Sequence, residues 1–113
     1  MHEMSVAMSI VQSVTEASAA DGGAISAVSV RVGAMSGVIP EALRFAWKPA
    51  SAGTPLDGAR LEIEDVAAAV FCPNCDAERD LPGQRMVCPV CKTRCPQLVR
   101  GRELDILSVE MAG

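Results

Sequence analysis

The residues with the clearest chemistry are cysteines. All five lie between positions 72 and 95 of a 113-residue chain, and four of them form two C-x2-C knuckles, Cys72-Pro-Asn-Cys75 and Cys88-Pro-Val-Cys91. Each knuckle turns the chain tightly, so its two thiolates converge on one point. Two facing knuckles offer four sulfurs in a tetrahedron, the arrangement that suits Zn(II), whose closed shell imposes no ligand-field geometry. Twelve residues separate the knuckles, enough for a hairpin, and Leu81-Pro82-Gly83 supplies its turn. A closed four-cysteine site holds a fold together and leaves no coordination position for water. Two other readings use the same residues. An iron centre of the rubredoxin kind usually sits in an aromatic shell, and Phe71 is the only aromatic nearby. A dithiol redox pair needs one knuckle, not two. Cys95 is left over and reads as a spare surface thiol, with exchange against Cys91 as the alternative.

The second group is at the amino terminus. His2 is the only histidine of the chain and directly follows Met1. The amine of Met1, the deprotonated amide of His2 and its imidazole can close two fused chelate rings on one ion, and the amide or carboxylate of Glu3 can add a fourth donor. Nitrogen-rich, near-planar donors suit Ni(II) or Cu(II). Taken alone, a histidine beside the initiator methionine is more often simply an exposed side chain.

No enzyme motif competes with these groups. There is no Ser/His/Asp set, glycine-rich phosphate loop or paired-carboxylate motif, and Asp21-Gly22-Gly23 reads as a turn. Met4, Met8, Met35 and Met111 suit core packing better than soft-metal ligation. A net charge of −4 argues against a sequence-independent nucleic-acid binder. Residues 72–102 do hold six Lys/Arg against three Asp/Glu, but four thiolates on one divalent cation subtract two from that local excess. The amino terminus lacks a basic signal-peptide region and no apolar run approaches the length of a membrane span. A cytoplasmic location is therefore expected, where clustered cysteines act as metal ligands or redox groups.

These groups need elements to position them. Residues 4–20 read as a helix, with Met4, Ala7, Met8, Val11 and Val14 on one face, stopped at Asp21-Gly22-Gly23. Residues 26–34 alternate as a half-buried strand with Val28, Val30 and Val32 on its core side. Pro40 suits the first turn of a helix over 40–48, which Lys48-Pro49 ends. Ser51 to Gly58 reads as a loop. Residues 59–71 begin as a strand whose parity slips at Asp65-Val66, marking a bulge or strand end. Residues 102–111 read as a last strand with Leu107, Val109 and Met111 on one side. An amphipathic strand must bury its apolar face, and the earlier strands are its natural partners. The expected fold class is therefore α+β: a small mixed helix/sheet domain of residues 1–70 plus 100–113, with an inserted four-cysteine zinc-ribbon module over 71–99.

The opening Met1-His2-Glu3-Met4-Ser5, the run Ser36-Gly37-Val38-Ile39-Pro40-Glu41-Ala42-Leu43-Arg44-Phe45, the two knuckles and the closing Gly101-Arg102-Glu103-Leu104 together resemble the HypA/HybF family, in order and over nearly the whole chain. The resemblance implies a nickel chaperone for maturation of [NiFe]-hydrogenase. It implies Ni(II) at Met1, His2 and Glu3, structural Zn(II) at Cys72, Cys75, Cys88 and Cys91, and the inserted ribbon. It also implies a HypB-type GTPase and the hydrogenase large subunit as partners, with urease maturation proteins served by some members. From charge and hydropathy no nucleic-acid or membrane partner is expected, and the chain is expected as a monomer or homodimer. The chain departs from the family at Lys92, where members often have Gly, at Cys95, which is not a familiar position, and in the stretch Val38 to Glu41, where some members offer a further carboxylate to nickel and this chain has Pro40 and Glu41. The contrasting reading is a zinc-ribbon module that binds protein or nucleic acid and carries no nickel.

Overall fold

The computed structural model describes residues 2–20 and 22–112. Its elements run α1 (His2–Ala17), β1 (Ile25–Gly33), α2 (Pro40–Ser51), β2 (Arg60–Val66), β3 (Ala69–Cys72), β4 (Ala77–Asp80), β5 (Gln97–Arg100) and β6 (Leu104–Met111). They form two three-stranded sheets, ordered β2-β1-β6 and β4-β3-β5. The fold is α+β, as the alternation of patterns predicts, with a helix-and-sheet core and a separate cysteine-bearing sheet.

β1 is the central strand of the first sheet, parallel to β2 and antiparallel to β6. Val28, Val30 and Val32 are buried beneath both helices, with Ala7, Ile10, Val11 and Val14 of α1 and Leu43, Ala46 and Trp47 of α2. The opposite face is polar: Ser29 donates to Glu62 at 3.1 Å and Arg31 pairs with Glu64 at 3.0 Å. One covered face and one solvated face explain the period-2 pattern of β1.

The helices differ from the sequence reading in three ways. The helix starts at His2 and its buried face contains Ile10, while Met8 is 57% exposed. Asp21, part of the expected stop signal, lies outside the described residues. α2 does not end at Lys48 but carries Pro49 inside its last turn. Proline forfeits one helical N–H there, but the turn is closed by other bonds: Ala52 N–H reaches Lys48 O at 3.1 Å and Ser51 Oγ reaches the same carbonyl at 3.3 Å. Trp47 is fixed by donating Nε1–H to Ala59 O at 2.8 Å.

The parity slip at Asp65-Val66 is a strand end. β2 stops at Val66 and the chain crosses to the second sheet at Ala69. It returns through Gly101 to β6, which lies beside β1. The two crossings are laced together: Gly33 N–H donates to Glu103 O at 2.7 Å, Met35 N–H to Gly101 O at 2.6 Å and Ala34 N–H to Val66 O at 2.9 Å. Gly33 faces the Gly101 carbonyl so closely that a Cβ on it would overlap that group, and Gly101 itself has φ +126. β6 corrects another expectation. Ser29 pairs with Ser108 but Val30 with Ile106, so Leu107 is an extra, bulged residue. The bulge breaks the alternation, and Leu107 and Met111 are largely exposed while Val109 packs on the core.

Candidate metal centres

The first knuckle begins at the end of β3 and the second follows the hairpin beyond β4. In each, the sulfur of the first cysteine accepts the backbone N–H of the second: Cys75 N–H to Cys72 Sγ at 3.3 Å, and Cys91 N–H to Cys88 Sγ at 3.5 Å. The residue after each knuckle takes a left-handed conformation, Asp76 with φ 54 and Lys92 with φ 64. Gly is the cheapest residue there. Lys92 occupies the position nonetheless, and its N–H closes on Cys88 O at 2.9 Å.

All four knuckle sulfurs lie within 4.8 Å of one another, with Cys72 and Cys88 buried and Cys75 and Cys91 half-buried. Cys72 and Cys91 sulfurs are 3.5 Å apart, Cys75 and Cys88 3.9 Å. A disulfide needs about 2.05 Å, so all five cysteines are free. With metal–sulfur bonds of about 2.3 Å, a tetrahedral centre has edges of about 3.8 Å. The cluster therefore has the size and the donor chemistry of a closed four-thiolate metal site, and it is the only such group of metal-ligating side chains among the described residues.

Crowding splits the sulfurs electrostatically. Cys91 is drawn down to about 5, first by the Thr93 hydroxyl and then by Asn74. Cys75 sits high, at about 11: the Arg79 guanidinium favours its thiolate, but Cys91, burial, Cys72 and Cys88 outweigh that. Four sulfurs this close cannot all ionise without a cation between them. A metal ion entering the cage must therefore displace protons.

Cys95 is not the surface thiol that its position after the knuckles suggested. It is 1% exposed, packed with Val70, Leu81 and Cys88, and its Sγ points at Thr93 O at 3.3 Å. Its backbone N–H bonds to Met86 O at 3.0 Å, so the ribbon hairpin holds it inward. Thr93 and Arg79 were not singled out by sequence. Thr93 could have been, as a hydroxyl two residues beyond a knuckle; Arg79 could not, although Cys75 is only four residues before it, because the face it takes is set by the pairing of β4 with β3.

At the other site, Met1 lies outside the described residues. His2 opens α1 and is exposed. Glu3 is 8% exposed, and its Oε2 accepts the N–H of Ile39 at 3.2 Å. That hydrogen bond is the main reason its carboxyl titrates below the ordinary range. Ile39 precedes Pro40, the first residue of α2. Glu3 thus serves as a distant cap for that helix, 36 residues along the chain. The amides of His2 and Glu3 fall in the first turn of α1, where N–H groups have no helical acceptor.

A two-helix α+β core joined to a ribbon with four clustered cysteines defines a small α+β protein built around a candidate four-thiolate metal site. A family model described as hydrogenase/urease nickel incorporation, metallochaperone, matches residues 1–111. The chain is 48% identical over 112 residues to hydrogenase maturation factor HypA of Chloroflexus aurantiacus, covering 97% of this chain and 98% of that protein. It is 40% identical over 112 residues to the protein of that name from Streptomyces avermitilis, covering 96% and 86%. Among solved structures, the nickel metallochaperone HypA of Helicobacter pylori superposes with a TM-score of 0.64 at 22% identity, over 98% of this chain and 97% of that one. A second HypA solution structure gives 0.69 at 24%, over 99% and 97%. The chain belongs to the HypA family. Its members are nickel metallochaperones, not enzymes, as the absence of a catalytic motif led us to expect. No helix among the described residues is long and apolar enough to cross a membrane.

Proposed function

We propose that this protein takes up Ni(II) at its amino terminus and delivers it to the large subunit of a [NiFe]-hydrogenase, in concert with a HypB-type GTPase, and in some settings to urease maturation proteins. The donors are the Met1 amine, the His2 amide and imidazole, and the backbone amide of Glu3. Zn(II) occupies Cys72, Cys75, Cys88 and Cys91 as a resident structural ion.

The observation that carries the nickel assignment is the start of α1. His2 is exposed there, and the amides of His2 and Glu3 have no helical carbonyl to satisfy, so they can be given to a metal without breaking the helix. The Glu3 carboxylate is buried and committed to Ile39 N–H. That favours the amide over the carboxylate as the fourth donor, a choice the sequence leaves open. Nitrogen donors in a near-planar set prefer Ni(II), while the sulfur cage prefers Zn(II). Geometry thus sorts the two ions.

Nickel titration of the untagged, zinc-loaded chain tests the assignment. The expected result is one nickel equivalent for the native sequence and none for His2→Ala, with zinc content and fold unchanged. Undiminished nickel affinity in His2→Ala would refute it. Against the contrasting interaction-module reading, two of the six basic residues in 72–102 are already engaged: Arg100 is paired with Glu78 at 2.9 Å and Asp80 at 3.2 Å, and the charge of Arg79 acts on the cysteines.

A further inference from the structure

β4 carries three charged residues in a row, Glu78, Arg79 and Asp80. A strand sends neighbours to opposite faces, so the acids and the arginine cannot share one. Glu78 and Asp80 are on the outer face, where both bind Arg100 of β5 across the sheet. Arg79 lies opposite Val70, which is fully buried, so it occupies the inner face with Val70 and Cys72. Its Nε is buried and has no hydrogen-bond partner, and no carboxylate among the described residues pairs with the side chain. A guanidinium does not give up its proton in a protein, so a permanent cation sits half-buried on the inner face of the ribbon with its two neighbouring acids turned away.

What remains for it is sulfur. On that inner face the guanidinium shares the surface with Val70 and Cys72, and its charge acts first on the Cys75 sulfur and then on that of Cys88. These are one sulfur from each knuckle. Four thiolates on one divalent ion leave the loaded centre with two net negative charges in a partly buried site, a cost that only a nearby cation or N–H donors can offset.

We propose that Arg79 is the charge-balancing positioning residue of the four-cysteine centre, donating N–H to Cys75 and holding both knuckles to the metal. It does so from β4, outside either knuckle. The inference rests on the reading that the cage holds a divalent ion, and it goes beyond that reading by naming what keeps the cage closed. N–H donation withdraws electron density from a metal-bound thiolate, so it makes the sulfur a poorer base and a poorer nucleophile. With Arg79 in place, protons, oxidants and competing chelators should find the Cys75 sulfur less willing to leave.

The test uses the full chain reconstituted with Co(II), whose thiolate-to-cobalt charge-transfer band reports on the sulfurs directly, and with Zn(II) for competition against a colorimetric chelator. In Arg79→Met, which keeps length and apolar packing, we expect the charge-transfer band to move to lower energy and zinc affinity to fall roughly tenfold. Arg79→Lys should restore part of both. An unmoved band with affinity within about twofold of native in Arg79→Met overturns the proposal, as does a Lys variant as impaired as the Met variant, because shape rather than charge would then be at issue. Should Arg79→Met fail to assemble the cage, the Lys variant decides: near-native spectrum and affinity support the proposal, and failure of both overturns it. If the native chain itself takes up no Co(II) as a four-thiolate complex, it is the metal reading that fails, not the role of Arg79 within it.

Discussion

At Glu3 one residue has two duties. Its carboxylate caps α2 through Ile39 N–H, while its backbone amide lies in the open first turn of α1. The two can be separated by substitution. Glu3→Gln keeps an oxygen acceptor and the side-chain shape, so it should bind nickel with native stoichiometry and affinity in a calorimetric titration. Loss of nickel in that variant would make the carboxylate a ligand after all. Glu3→Ala leaves the Ile39 N–H without its acceptor, and thermal unfolding should show a clearly lower Tm, with nickel uptake reduced only as far as the amino-terminal turn loosens. None of this was legible in the sequence. His2 and the knuckles are local patterns that spacing alone displays, but the Glu3–Ile39 bond spans 36 positions and exists only because the fold brings α1 and the α2 start together. Arg79 is hidden for another reason: Cys75 is close to it in the chain, but the register of β4 with β3 decides which face it takes.

Among the elements, short-range signals served well and pairing did not. The alternation of β1 and the proline at the start of α2 are properties of the segment itself, and both elements form where those signals placed them. The face assignment of the last strand failed because parity in β6 is set by its register with β1, where Leu107 is bulged out. The end of α2 was misplaced because the bonds that carry it past Pro49 come from side chain and backbone together. The crossing between sheets yields a sharper prediction. Gly101 has φ +126, and a Cβ there would stand 2.9 Å from Ala68 Cα. Gly101→Ala therefore combines an unfavourable backbone conformation with a backbone clash. A loss of about 2 kcal/mol or more is expected in chemical denaturation. Gly83→Ala, in the open hairpin turn where nothing lies near the added carbon, should cost far less.

For the molecule as a whole, the two sheets are unequal in how they hold together. The helix-bearing sheet buries a continuous core of Val, Ile, Leu and Trp side chains. The apolar cluster of the ribbon has six buried residues, of which three are cysteines. A core that small does not usually sustain a fold without a staple. Stripping the metal with a strong chelator should therefore collapse amide chemical-shift dispersion for residues 69–100 while leaving α1, α2 and the β2-β1-β6 sheet native. Retained dispersion throughout would show that packing alone suffices for the ribbon.

The bond from Glu3 to α2 also sets how far a nickel ion could travel on this protein. Glu3 is moored to Ile39 and His2 already belongs to the first turn of α1. A nickel ion held at His2, as proposed, would therefore ride on the two helix starts rather than on a free tail. Cargo held that way would be passed on at contact, with the recipient brought up to the base of α2, and not swung across a gap.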